Sequence, residues 1–236
     1  MISIPMIGRP GRVELRPSKI IAVGFNYRAH VAEGTSILPS APPPEEPSEP
    51  ILFAKTPNVL VADGEPIVIP TSLVARYGFK APRTDFEAEL AVVIGRTCRD
   101  VSEAEARSYV LGYTCFNDVS QRDIQNADRS GWFRGKSFDS FGPIGPALLL
   151  ESPALDPQRL RVSCRLNGEL RQEGSTADMI FGVAALVSYI SRNLTLESGD
   201  IIATGTPSGV GAIKAGDVVE VEIDGIGVLR NPVREA

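Results

Sequence analysis

The sequence predicts a mainly β fold of the α+β class, and three observations carry that expectation. Its 236 residues include 22 glycines and 19 prolines, punctuation dense enough to cut the chain into short segments. Several of those segments, KIIAVG at 19–24, ILFA at 51–54, PIVIP at 66–70 and LAVVIG at 90–95, are apolar runs of strand length. Only one stretch has strong helical periodicity. A hydrophobic share of 43% suffices for one sizeable core, so residues 1–236 are expected to form a single domain.

Residues 1–16 offer one or two short strands, and Lys19–Gly24 reads as a buried strand followed by the polar segment NYRAHVAEG. The run 34–50, GTSILPSAPPPEEPSEP, is proline-rich and acidic, a composition that neither packs a core nor forms a regular helix. It is expected to be a surface loop. A lid spanning about residues 28–50 and a plain excursion both fit. Strands resume at ILFA, VLV and PIVIP. Ser102 and Glu105 then form a capping box at a helix start, and Asn167-Gly168 and Asp224-Gly225 mark tight hairpin turns. The amphipathic helix is placed near 177–192, with Met179, Ile180, Val183, Leu186, Val187 and Ile190 on its core stripe.

Charge and composition exclude several classes. A net charge of −5 and a pI near 5.1 oppose an electrostatic nucleic-acid binder. No apolar run approaches membrane-spanning length, and the N-terminus has no secretion signal. Cys98, Cys115 and Cys164 are widely spaced among apolar neighbours with no C-x-x-C, which reads as core thiols in a reducing compartment. A cytoplasmic protein is expected.

The acids carry the chemistry. Glu87 and Glu89 lie two apart in TDFEAELAVVIG, so on a strand both carboxylates leave one face. Like charges at a core edge are costly unless a cation neutralises them. With Asp118, in GYTCFND, they offer the oxygen donors that Mg²⁺ prefers. Two solvated glutamates on an exposed face are the commoner case for such a pair. His30, the only histidine, lies three residues before Glu33. On a helix the two share a face, and the carboxylate can orient the imidazole as a base, although a lone loop histidine is more often simply solvated. Arg122, Gln125, Arg134 and Lys136 follow Asp118 and suit an anionic substrate beside a metal; a salt-bridged surface loop fits them too. The stretch IIATGTPSG at 201–209 is a strand running into a loop whose amides could cradle a carboxylate, and it matches no nucleotide-binding fingerprint.

The order of these signals is more specific than any one of them. Gly24-x-Asn26-Tyr27-x-x-His30-x-x-Glu33, Glu87-x-Glu89-Leu90, Asn117-Asp118-Val119-Ser120-x-Arg122-Asp123-x-Gln125, Gly135-Lys136-Ser137-Phe138-Asp139 and Thr204-Gly205-Thr206-Pro207-Ser208-Gly209 together resemble the fumarylacetoacetate hydrolase family over about residues 18–232. Asn167-Gly168-Glu169 and Gly199-Asp200-Ile201-Ile202 look like further landmarks. The resemblance implies a mixed β-sandwich roll of the family's C-terminal domain type, with few helices. It implies Mg²⁺ or Mn²⁺ on Glu87, Glu89 and Asp118, a His30–Glu33 dyad on a lid that orders over substrate, and a catalytic Lys136. Arg122, Gln125 and Thr206 would contact substrate, and family members are commonly homodimers. The short chain resembles the compact acylpyruvase and oxaloacetate decarboxylase branch. The expected activity is hydrolysis of a C–C bond in 2,4-dioxo acids, with oxaloacetate decarboxylation close behind and diene-diacid isomerisation as the alternative.

Overall fold

The apolar runs fold as strands whose partners come from distant parts of the chain. The computed structural model describes residues 2–33, 45–79, 82–129 and 131–236. In chain order the strands are β1 (Ile2–Ile7), β2 (Arg12–Leu15), β3 (Ile20–Gly24), β4 (Ile51–Lys55), β5 (Leu60–Val61), β6 (Ile67–Ile69), β7 (Thr84–Phe86), β8 (Ala88–Ile94), β9 (Val110–Asn117), β10 (Ser120–Gln121), β11 (Gly142–Leu150), β12 (Arg161–Leu166), β13 (Glu169–Ser175), β14 (Ile201–Ala203), β15 (Gly211–Ile213), β16 (Val218–Ile223) and β17 (Gly227–Glu235). The helices are α1 (Arg28–Glu33), α2 (Thr71–Ala75), α3 (Glu103–Ala106), α4 (Arg122–Ala127), α5 (Phe133–Lys136) and α6 (Val183–Asn193).

A large curled sheet runs β2-β1-β11-β9-β8-β14-β3-β4, with β5 added to β11. A second sheet, β13-β12-β16-β17-β6, packs across it: β12 and β16 lie against β8, and β16 and β17 against β9. The three-stranded sheet β10-β7-β15 prolongs the layer beyond β8. Every residue of β8 is buried, which explains why AELAVVI is a continuous apolar run after its glutamate rather than an alternating one. Strand makes up 42% and helix 20%, so the mainly β expectation holds.

The capping box forms as expected at α3, where Ser102 Oγ donates to Glu105 Oε2 at 2.6 Å. Asn167 and Gly168, at φ 54° and 84°, make the two-residue turn between β12 and β13. At the other hairpin the loop between β16 and β17 takes three residues, 224–226. The helix expected from 177 starts later, at Val183 with Gly182 as N-cap. The Asn26 side chain takes over the backbone before it, accepting from Phe181 N at 2.8 Å and donating to Phe181 O at 3.0 Å. Ile180 N likewise donates to Asn26 O at 2.8 Å, and Met179 pairs with Tyr27 in an isolated bridge. Apolar periodicity cannot register such tertiary competition. Of the expected lid, residues 28–33 are α1, and residues 34–44 lie outside the described residues. Among the described residues no helix is long and apolar enough to cross a membrane, and all three cysteines are buried free thiols.

Candidate active site

The three acids meet because β8 and β9 are antiparallel neighbours. Ala88 pairs with Asn117 and Glu89 with Phe116, so the residue that starts β8 and the one that follows β9 are adjacent. Glu87 occupies the break between β7 and β8. Its amide donates to Asn117 Oδ1 at 2.9 Å, and its carbonyl accepts from Asp118 N at 2.9 Å. The carboxylates of Glu87, Glu89 and Asp118 are buried, with ligand atoms all within 4.8 Å of one another.

Buried cations surround this cluster. Lys136 Nζ, from α5, lies 2.7 Å from Glu87 Oε2 and 2.6 Å from Asp118 Oδ2. Lys55 Nζ, at the end of β4, lies 2.6 Å from Asp118 Oδ1. Arg122 joins Asp85 (2.8 Å) to Glu87 (2.5 Å) and donates to Gln125 Oε1 at 3.0 Å. Burial acts to raise the Glu87 pKa, but Lys136 and Arg122 outweigh it and hold this carboxyl well below its ordinary range. Lys136 answers in kind: burial favours its neutral form, yet Asp118 and Glu87 push its pKa up. Lys55 goes the other way, lowered by burial and by its neighbour Lys136.

Glu89 is different. Among the described residues no cation bonds it, and its donor is the amide of Gly205 at 2.9 Å. Burial, then Asp118, then Glu87 raise its pKa well above the ordinary value. A buried carboxylate short of compensating charge, inside an oxygen-only set of three, fits a hard divalent cation. The donor set therefore suits a divalent metal.

The histidine and its acid form a pair on α1. His30 Nδ1 and Glu33 Oε2 are 3.0 Å apart, and His30 is buried. Burial raises the Glu33 pKa, but the bonds from His30 and from the Gly209 amide, at 3.1 and 3.2 Å, bring it below the ordinary value. The 204–209 loop thus cradles carboxylates, those of Glu33 and Glu89 in this chain. Thr206 Oγ1 donates to Ala88 O at 2.9 Å and accepts from Gln172 Nε2 at 2.7 Å.

A narrow pocket joins these groups, bordered by His30, Glu87, Glu89, Gln125, Lys136 and Thr206. Phe25, Phe53 and Trp132 border it too. Arg134 stays outside: it is exposed and reaches Asp128 at 3.7 Å and the Tyr77 ring, because α5 turns Lys136 inward and leaves Arg134 on its outer side. Sequence reading missed four participants. Asp85 continues the Glu87, Glu89 alternation toward the N-terminus and was legible on that ground. Lys55 shares the inward phase of β4 with Phe53, a faint signal. Gln172 and Trp132 carry none.

Residues 19–234 match the fumarylacetoacetate (FAA) hydrolase C-terminal family. An uncharacterized protein of Methanocaldococcus jannaschii is 44% identical over 222 residues, covering 94% of this chain and 85% of that protein. The oxaloacetate tautomerase YisK of Bacillus subtilis is 41% identical over 226 residues, covering 92% and 70%. Among solved structures, 2-hydroxyhepta-2,4-diene-1,7-dioate isomerase from Mycobacterium marinum aligns with a TM-score of 0.77 at 40% identity, covering 93% of this chain and 75% of the other.

Proposed function

We propose a reaction for this chain on one premise: it belongs to the fumarylacetoacetate (FAA) hydrolase family. Members of that family are enzymes, and they generally bind a divalent metal. The proposed reaction is hydrolysis of the C–C bond of acylpyruvate-like 2,4-dioxo acids, giving pyruvate and a carboxylic acid. One observation carries it: His30, paired with Glu33 at 3.0 Å, borders the same pocket as the Glu87 and Glu89 carboxylates.

Glu87, Glu89 and Asp118 would hold Mg²⁺ or Mn²⁺, which would supply Lewis-acid chemistry toward a 2-oxo acid. Glu33, anchored by Gly209, accepts a hydrogen bond from His30 Nδ1–H, so Nε2 is left as the base. That nitrogen takes a proton from water, and the resulting hydroxide adds to the second carbonyl. The bond between the two carbonyl-bearing halves then breaks, the electron pair leaves with the pyruvate half as its enolate, and the proton held by His30 returns to that carbon to give pyruvate. Lys136, kept charged by Asp118 and Glu87, stabilises the negative charge that develops as the bond breaks. Arg122 fixes Gln125 Oε1 as an acceptor, which leaves the Gln125 amide NH₂ to donate to a substrate carboxylate. Thr206 closes the pocket beside Ala88.

The names of two relatives, an oxaloacetate tautomerase and a heptadiene-dioate isomerase, support a second reading. There His30 moves a proton at the carbon next to the keto group of a diacid, with isomerisation or decarboxylation as the outcome. We place the enzyme in the cytoplasm as a homodimer; its three buried free thiols support a reducing compartment.

The deciding experiment is pyruvate release by Mg²⁺-loaded protein from acetylpyruvate and oxaloacetate side by side, with EDTA as control. Faster, EDTA-sensitive release from acetylpyruvate supports the hydrolase. Faster release from oxaloacetate makes decarboxylation the main reaction, and no release from either moves the assignment to the isomerase.

A further inference from the structure

We infer that the aromatic wall of this pocket is the acyl subsite, and that it selects 2-oxo acids ending in an aromatic or bulky apolar group over diacids. The inference rests on the reading of the site as a 2-oxo acid site and concerns the end of the substrate away from the metal cluster.

Three features build the wall. Trp132 packs edge-on against Phe25 and Phe53, with ring centroids 5.8 and 5.4 Å apart and planes at 74° and 68°. Phe25 in turn stacks on His30 at 5.9 Å and 25°, so the wall begins at the proposed base. Both Phe25 (φ 54°) and Trp132 (φ 70°) hold left-handed backbone, a conformation that bulky residues adopt only where the surroundings impose it. Gly24 completes the set: a Cβ there would sit 2.6 Å from the Trp132 ring. Two unfavourable backbone conformations and one obligatory close approach thus converge on placing one indole. Phe25 and Trp132 remain only half-buried, and both border the pocket.

The electrostatics point the same way. Among the described residues bordering the pocket, Lys136 and His30 are the groups that can be positive, and both already bond carboxylates of this chain. The remaining charges on the border are Glu87 and Glu89. A second substrate carboxylate would be desolvated against aromatic rings with no uncommitted cation among these residues. A phenyl or branched alkyl group would instead gain edge and face contacts with the rings. The relatives' printed substrates are diacids, so this wall would give the chain a preference different from theirs.

Trp132 is the only tryptophan, so its fluorescence reports on the subsite. The probes are oxalate, which has only the chelating head, then 2-oxobutanoate, 2-oxo-4-phenylbutanoate and 2-oxoglutarate, none of which has a 4-oxo group to be attacked. With Mg²⁺-loaded protein, 2-oxo-4-phenylbutanoate is expected to shift the emission and to bind on the order of tenfold tighter than 2-oxobutanoate. 2-Oxoglutarate is expected to gain nothing over 2-oxobutanoate. By calorimetry, Trp132→Ala should lose the phenyl preference and still bind oxalate, and Trp132→Phe should keep most of that preference. Equal binding of the phenyl and ethyl acids, with oxalate bound, overturns the subsite and leaves the 2-oxo acid reading standing. Tightest binding of 2-oxoglutarate overturns it in favour of a diacid. Failure of oxalate to bind with Mg²⁺ or Mn²⁺ removes the 2-oxo acid reading and the subsite together.

Discussion

Glu89 sets the charge balance of the site. It is buried beside two other carboxylates and bonds a backbone amide instead of a cation, so the metal-free protein carries its charge at a cost. Glu89→Gln removes that charge and keeps the shape. Its metal-free melting temperature should equal or exceed wild type, while the rise on adding Mg²⁺ or Mn²⁺ should vanish. In the wild type that rise corresponds to about 2.7 kcal/mol at a hundredfold excess over Kd. Scanning fluorimetry with and without metal measures both quantities, and a full metal response in the variant would remove Glu89 from the ligand set. His30→Ala should slow hydrolysis roughly 100- to 10,000-fold and slow decarboxylation less, since loss of CO₂ needs no attacking water. Parallel assays of both reactions check this, and equal losses would count against water activation. Glu87, Glu89 and the histidine were legible because a spacing of two in extended chain and of three on a helix fixes a shared face. Lys55 was not, because one lysine ending an apolar run gives no sign of whether it reaches solvent or an internal carboxylate.

The helices that carry the cations are short and depend on contact for their position. Gly135, in α5, presses against α4 so closely that a Cβ would meet Gln125 N at 2.6 Å and Gln121 O at 2.7 Å. Both are backbone atoms and cannot rotate away. Gly135→Ala should therefore cost about 1–3 kcal/mol of stability. It should also move Lys136 off Glu87 and Asp118, so that kcat falls while the protein is still folded. Chemical denaturation together with kinetics below the transition measures the two effects separately. The same scale shows where pattern reading stops. The apolar stripe of α6 was visible, but the start of the helix depended on Asn26, more than 150 residues earlier, capturing the backbone of Phe181. The two hairpin turns were legible because Asn-Gly and Asp-Gly carry their own backbone preference. The extra loop residue at 226 was not, since it answers to the register of β16 on β17.

Across the molecule, pH should act through carboxylates held below their ordinary values. In Asp200 burial raises the pKa, but Lys19, the Glu197 amide and Ser18 outweigh it and bring it down; Glu33 and Glu87 are lowered as well. Each group stabilises the fold fully above its unfolded pKa, about 3.9 for Asp and 4.3 for Glu. That stabilisation is lost as pH falls through the lower folded value. Glu89 runs opposite: its raised folded value makes its charge a penalty at neutral pH, and acidification relieves it. Melting temperature should fall below about pH 4, and Asp200→Asn should flatten that fall, which a pH series of thermal melts tests. The residue bridges the starts of β3 and β14, since Ser18 N and Lys19 N donate to its Oδ1 at 2.9 and 3.1 Å. These two strands are parallel neighbours, Ile20 to Ile201 and Ala22 to Ala203, and β14 is the wedge between β3 and β8 in the large sheet. A ribosome must therefore release about 200 residues before the first third of the chain finds its central partner. Until then β3 and β8 each present an open edge in the growing chain, which makes the protein a candidate for chaperone capture during synthesis and favours slow refolding after dilution from denaturant.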